Sequence, residues 1–409
     1  VSSPQHRNIR IAVVVAALGY FVDVYDLVLF SIVRVDSLKS LGLATEEITS
    51  TGVTLLNTQM IGMLLGGLLW GLLGDKFGRI QVLFGSILLY SLANIANAFI
   101  STTEEYLICR FLAGVGLAGE IGAGITLVSE LMPRQSRGLG TTIVATVGVS
   151  GAIAAALVGD MTTWRTAYII GGVMGLTLLV LRVSVSESGI FSSIRANSEV
   201  ARGDIRMLFN SRERFVRFIS CVLSGVPIWY VAAILVTFSP EIGVALDITE
   251  PLRGSRSILF LYIGLTAGDL ISGLLSHLIK SRKKAIGAFL LLNVPLVLIL
   301  LNSKGRNSDF YYSMITAIGF FTGYWAVFIS TAAEQFGTNL RATVATSVPN
   351  FVRGFVVPIT IAFEYLKGPF GVVGSAQTVG LVTFVLAGLA LLKMRETFGV
   401  DLDYLEKDH

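Results

Sequence analysis

The sequence predicts an all-α membrane protein: twelve transmembrane helices arranged as two six-helix bundles with pseudo-two-fold symmetry. Three observations predict it. Of the 409 residues, 53% are apolar and only 14% are charged, with a mean hydropathy of +0.74, whereas an average soluble domain is roughly 25% charged. Apolar runs long enough to cross a hydrocarbon core of about 30 Å, which takes about 20 helical residues, recur along the whole chain. Features of the first half also return in the second at a nearly constant offset.

In chain order the expected spans are 11–34, 52–73, 81–100, 105–132, 139–159 and 166–185, then 217–243, 257–279, 285–301, 310–335, 343–366 and 371–393. Runs such as Met60 to Leu73 and Ala285 to Leu301 need lipid as their solvent. The first run is too long for the apolar region of a signal peptide and no small-residue cleavage site follows it, so it is expected to span. Between the two sets, Ser186 to Arg217 carries Arg195, Arg202, Arg206, Arg212 and Arg214 and reads as a solvated linker. The expected organisation is an N-terminal bundle over 1–186, a cytoplasmic linker over 187–216 and a C-terminal bundle over 217–409.

An even number of spans puts both termini on one side. Arg7, Arg10, Lys76, Arg79, Arg134, Arg137, the linker arginines, Lys280, Arg282, Lys283, Lys284, Arg341, Lys393 and Arg395 all fall on that side, which the positive-inside rule makes cytoplasmic. The formal charge of +4 reflects these connections, so no nucleic-acid partner is expected. Cys109 and Cys221 both lie inside spans, and no metal, cofactor or disulfide framework is expected.

The halves resemble each other internally. Gly71-Leu72-Leu73-Gly74-Asp75 after span 2 is matched by Gly273-Leu274-Leu275-Ser276-His277 after span 8, and a basic cluster follows each. Glu130 precedes Arg137 by the interval at which Glu334 precedes Arg341. A duplicated six-helix unit accounts for both matches, as in secondary transporters.

The sharpest local pattern is Gly71-Leu72-Leu73-Gly74-Asp75-Lys76-Phe77-Gly78-Arg79. Gly71 and Gly74 let helix backbones approach closely, and Gly78 permits a tight turn. Asp75 is placed to accept hydrogen bonds from a helix N-terminus or a basic side chain. The second pattern is Arg110-Phe111-Leu112-Ala113-Gly114-Val115-Gly116-Leu117-Ala118-Gly119-Glu120, followed by Ser129-Glu130-Leu131-Met132-Pro133-Arg134-Gln135-Ser136-Arg137-Gly138. The first resembles the G-x-x-x-D-[RK]-x-G-R loop of the major facilitator superfamily. The second is similar to span 4 in its branch of sugar, metabolite, phosphate and organic-ion transporters; Trp164-Arg165 and Glu334 to Arg341 fit the same pattern. The resemblance implies two bundles around a central cavity that alternates between inward-open and outward-open states, in a monomer. It also implies a gating set of Gly74, Asp75, Arg79, Arg110, Glu130, Arg137, Glu334 and Arg341, of which Asp75, Arg79, Glu130, Arg137, Glu334 and Arg341 form cytoplasmic charge networks that close one face.

Charges inside spans bear on substrate, since an ionised group at bilayer depth costs about 2.5–3.5 kcal/mol on insertion scales. Asp23 and Asp26 share one face of span 1 beside Tyr20 and Tyr25. Mutual repulsion and low dielectric favour proton uptake by one of them; the alternative is a helix-break cap or a pairing with Arg110. Glu120 in span 4 is a second proton site or an arginine's partner. Arg353 lies near the centre of span 11 with Asn350 on its face, flanked by Pro349 and Pro358. A guanidinium does not deprotonate there, so an anionic substrate or an internal carboxylate must meet it. Trp229, Tyr230, Tyr324 and Trp325 fall in spans 7 and 10, which line the cavity in the family that the motifs resemble. Tyr25 completes the expected substrate-binding set.

The function expected is proton-coupled uptake of a small organic anion, a carboxylate-bearing metabolite or chelate, across a bacterial inner membrane. The alternative is proton-driven export of drugs or metabolites. Against export, Gly148 to Ala154 in span 5 lacks the proline of the antiporter pattern. An enzyme is not expected: there is no HExxH, GxSxG or P-loop.

Overall fold

The computed structural model describes residues 4–77, 79–119, 137–187, 205–399 and 406. Glu120 and Glu130 lie outside the described residues. Gly74, Asp75, Arg79 and Arg137 are on helical backbone, but their side chains are not among those described.

The described chain is helical throughout and contains no strand among its described residues. The first half gives α1 (Pro4–Ser40), α2 (Thr45–Phe77), α3 (Arg79–Asn97), α4 (Thr103–Leu117), α5 (Arg137–Met161) and α6 (Trp164–Glu187). After a 3₁₀ turn at Ile205–Leu208 come α7 (Arg212–Tyr230), a π-helical turn (Val231–Val236) and α8 (Ser239–Ala245). Then follow α9 (Gly254–Leu278), α10 (Arg282–Leu301), α11 (Ser308–Thr322), α12 (Trp325–Glu334), α13 (Thr338–Gly354) and α14 (Val356–Lys393). Among the described residues, eight apolar helical stretches are long enough to cross a membrane, with Leu83–Asn97 and Val147–Met161 as shorter apolar helices. One of the eight, Thr343–Lys393, is 51 residues long. It holds two spans, because Gly371 breaks α14 with φ 67° and ψ 178°, a conformation open to glycine. These helices account for the twelve expected spans, span 4 being described in its first part only.

Several helices outrun their apolar cores. α1 extends well beyond the expected 11–34, its polar turns projecting past the depth that hydropathy measures. The seventh span was expected at 217–243; its helix begins at Arg212, and the π turn ends at Val236. Thr237 then closes on Ala232 through both its N–H (3.1 Å) and its hydroxyl (2.9 Å), and Pro240 opens α8.

The chain divides into two compact units, Val1–Ala44 with Thr54–Val200, and Thr45–Val53 with Ala201–His409. In the first, α1 packs along α5 and α6, and α3 along α4 and α6. Val13, Ala16 and Ala17 of α1 form a core cluster with Val144 of α5. In the second, α9 packs on α11, and α7 on α13 and α14.

Each unit holds a seam where two helix backbones touch. Gly62 and Gly66 of α2 lie against Phe111 and Val115 of α4, and Gly114 of α4 lies against Gln59 in return. In the second unit Gly264 and Gly268 of α9 face Thr316 and Phe320, while Gly319 and Gly323 face Leu261 and Leu265. Both seams are glycines four residues apart, the spacing that lets membrane helices pack on their backbones. The pairs Gly62/Gly66 and Gly264/Gly268 keep the offset that separates Gly71 from Gly273.

Candidate functional site

In the first unit, α1 carries Asp23 and Asp26 inward, 4% and 1% exposed. Gly171 of α6 gives Asp26 its room: a Cβ there would overlap Asp26 Oδ1 and reach 3.0 Å from the Tyr25 ring. Tyr25 is fully buried and donates its hydroxyl to the Ala167 carbonyl at 3.0 Å, tying α1 to α6. Arg110 is also fully buried. Its guanidinium donates to Asn94 Oδ1 at 2.9 Å and Gln59 Oε1 at 3.4 Å, and lies 4.9 Å from the Tyr168 ring centroid. Neutral oxygens and an aromatic face thus surround it. Tyr168 and Tyr106 hydroxyls meet at 2.8 Å, which fixes the face that Arg110 uses.

In the second unit three distant segments converge on Arg353. It sits in the last turn of α13, just before the junction at Phe355, with Asn350 one turn earlier and likewise buried. Pro358 explains the junction: it falls in the first turn of α14, where its missing N–H costs no helical bond. The Arg353 guanidinium lies 5.5 Å from the Trp229 ring centroid and 5.8 Å from that of Trp325. Both distances are within cation–π range. Trp229 is placed by Pro227 and by the π turn that starts at Val231; such turns recur at functional sites. Its indole Nε1 is buried and has no acceptor among the described residues. Trp325 opens α12 after the chain leaves helical geometry at Gly323 and Tyr324.

Tyr230 and Tyr324, expected beside the substrate, are fully buried struts. Tyr230 donates to Ala376 O at 2.8 Å and Tyr324 to Ser224 O at 3.1 Å. The sequence reading omits Asp269, although a lone carboxylate inside the apolar run of α9 is the kind of signal that marks Asp23. Asp269 Oδ1 accepts the Ala326 N–H at 3.0 Å, so it caps the start of α12 from a neighbouring helix. Gly323 makes this possible, for a Cβ there would press on the backbone at Leu265 and Asp269.

At the other end of the second unit lies a charge network. Glu334 pairs with Arg282 at 2.7 Å and accepts the Thr397 hydroxyl at 2.8 Å, and Arg341 is within electrostatic range. Arg217 pairs with Glu213 at 2.7 Å and Glu406 at 2.6 Å. Glu396 accepts the Ser281 hydroxyl and the N–H groups of Arg282 (3.0 Å) and Lys283 (3.3 Å), capping α10. Burial pushes the Glu396 carboxyl up, but the Ser281 bond and the N–H groups of Phe398, Arg282 and Thr397 outweigh it and hold the group below the usual range. His277 is exposed, its ring 5.7 Å from that of Phe398.

Long apolar helices, backbone-contact glycine seams and buried charges define an integral membrane protein. Residues 16–360 match the Major Facilitator Superfamily model, and the chain belongs to that family. It is 28% identical to the inner membrane metabolite transport protein YgcS of Escherichia coli (strain K12), over 80% of this chain and 75% of that one. It is 26% identical to the 3-(3-hydroxy-phenyl)propionate transporter of the same strain, over 82% and 83%. The gentisate transporter of Corynebacterium glutamicum is 25% identical, over 94% and 88%. The inward-open structure of the xylose transporter XylE from E. coli shares the fold, with a TM-score of 0.73, 18% identity and coverage of 96% of this chain and 98% of that one.

Proposed function

We propose that this transporter carries a small aromatic carboxylate inward with protons, and that Arg353 holds the carboxylate. The observation that carries the reading is the Arg353 guanidinium set within reach of two indole rings. The π faces attract the cation through its flat surface, while carboxylates bind guanidinium through its N–H edge. An arginine held in this way can therefore serve both a planar ring and an acid group. The buried Trp229 N–H adds a donor of the kind that a ring hydroxyl or a second carboxylate oxygen satisfies. Relatives named for gentisate and 3-(3-hydroxy-phenyl)propionate support the same substrate class.

Proton coupling is assigned to Asp23 and Asp26, with Glu120 as the candidate on span 4. A proton crossing 100 mV supplies about 2.3 kcal/mol, enough to concentrate a solute tens of times. Gating is assigned to Asp75, Arg79, Glu130, Arg137, Glu334 and Arg341, on the cytoplasmic side with both termini, in a bacterial inner membrane. The bundles are taken as 1–186 and 217–409, joined by 187–216, in a monomer.

The test is uptake of radiolabelled hydroxybenzoates into vesicles with an imposed pH gradient. Asp26→Asn should abolish gradient-driven accumulation and preserve counterflow exchange. Gradient-driven uptake that survives both Asp23→Asn and Asp26→Asn moves the proton site elsewhere, and failure of every aromatic acid to exchange discards the substrate class.

A further inference from the structure

We propose that the second unit binds the headgroup of an anionic phospholipid in a cavity between the start of α7 and the end of α14. The cavity measures about 480 Å³ and is lined by Arg212, Arg217, Lys393 and Arg395, with Glu213 as its one acidic wall. Glu213 pairs with both Arg217 (2.7 Å) and Arg395 (3.1 Å), and Glu406 meets Arg217 from outside the lining. Among the described residues, two carboxylates thus stand against four cations. Arg212 and Lys393 have no ion-pair or hydrogen-bonding partner among the described residues, and both are exposed.

What surrounds the cavity distinguishes a lipid from a soluble anion. One turn further along α7 from Arg212 is Val216, 40% exposed, and one turn back along α14 from Lys393 is Leu389, 55% exposed, with Leu386 continuing the face. Each helix therefore shows a cation at its end and bare apolar side chains one turn deeper. A phosphodiester with its acyl chains matches that order, and basic recesses between membrane helices bind such headgroups. A free phosphate has no use for the apolar stripe.

The position gives the lipid leverage. Gln335, at the end of α12, lines the same cavity and holds the backbone of Arg395 through both ends of its side-chain amide, donating Nε2 to the carbonyl at 2.7 Å and accepting the N–H on Oε1 at 3.1 Å. A headgroup bridging Arg212 and Lys393 thereby clamps α7, α12 and α14 at the ends that carry the charge network.

The experiment uses the full chain in phosphatidylcholine nanodiscs, titrated with phosphatidylglycerol and read by native mass spectrometry and thermal shift. The unaltered protein should retain one tightly bound phosphatidylglycerol. The double variant Arg212→Gln with Lys393→Gln should bind it about thirtyfold more weakly, at about 1 kcal/mol per basic residue. Lys280→Gln with Lys284→Gln, which removes the same charge outside the cavity, should leave retention unchanged, and each variant's melting in phosphatidylcholine alone reports its folding. Equal retention in all three proteins, or equal loss in both double variants, overturns the proposal. Protection by millimolar inorganic phosphate to the same extent as by phosphatidylglycerol also overturns it, in favour of a soluble anion.

Discussion

Asp269 offers a direct way to move one wall of the proposed substrate site without touching Arg353. Its carboxylate accepts the Ala326 N–H at 3.0 Å at the start of a ten-residue helix whose first residue is Trp325. A carboxylate at a partly buried helix N-terminus contributes about 0.3–2 kcal/mol through the dipole, and loss of a capping acceptor costs about 0.5–2 kcal/mol. Asp269→Asn keeps an acceptor of the same shape and loses the charge, so about 1 kcal/mol is expected. Asp269→Ala loses both, which makes about 2 kcal/mol. If that energy holds Trp325 at its 5.8 Å from Arg353, affinity for an aromatic acid should fall about fivefold in the asparagine variant and about thirtyfold in the alanine variant. Asp269→Glu should recover part of the loss. The assay is tryptophan fluorescence quenching by substrate in purified protein, with melting temperature recorded alongside. Unchanged quenching and affinity in Asp269→Ala would refute the reasoning, because the cap would then hold nothing that the substrate feels.

Arg353→Lys should abolish uptake despite the retained charge, since an ammonium lacks the planar N–H edge; measurable transport by the lysine variant in the vesicle assay assigns Arg353 to packing. Trp229→Phe should weaken binding of hydroxylated acids more than that of benzoate, by about 1 kcal/mol, read by competition against labelled substrate. Gly268→Ala should lower the melting temperature and expression, since its Cβ would overlap the Phe320 carbonyl, at about 1–3 kcal/mol for overpacking. Glu396 supplies a pH dependence with a definite sign. Its folded-state value is depressed, so its contribution to stability is present above the unfolded carboxylate value and disappears as pH falls through the folded one. Melting measured from neutral to acid pH should lose that component in Glu396→Gln, whose profile should be flatter.

The twelve spans were legible because hydrophobic length is a one-dimensional property, and even the 366/371 gap coincides with the break at Gly371. Helix ends were less so, since polar turns such as those closing α1 continue the hydrogen-bond ladder past the apolar core. Arg353 and Asp23 announced themselves as charges where charges are expensive. That Trp229 and Trp325 meet at Arg353 was beyond the sequence, because it depends on a π turn, a helix break and a junction, each set by tertiary packing. Tyr25, Tyr230 and Tyr324 share the composition of binding residues, yet their hydroxyls bond carbonyls of neighbouring helices; residue type conveys amphipathic burial and says nothing of direction. Asp269 carries the same signal as Asp23, a carboxylate within an apolar run, but its role as the cap of α12 rests on a contact between helices that the sequence does not display. Glu334 is expected with Arg341 from their spacing, whereas its ion pair is with Arg282 in the first turn of α10, a contact between helices that spacing along the chain does not encode.

The bare backbone contacts of α2 with α4 and of α9 with α11 also bear on how this gene can change. Each seam lacks the cushion of side chains that normally absorbs an added methyl, so a substitution at Gly114 or Gly268 transmits its full displacement to the backbone carbonyl of the facing helix. Libraries aimed at altered cargo preference should therefore leave those positions fixed and spend their diversity on the ring-bearing residues around Arg353, where shape can vary without prying a helix pair apart.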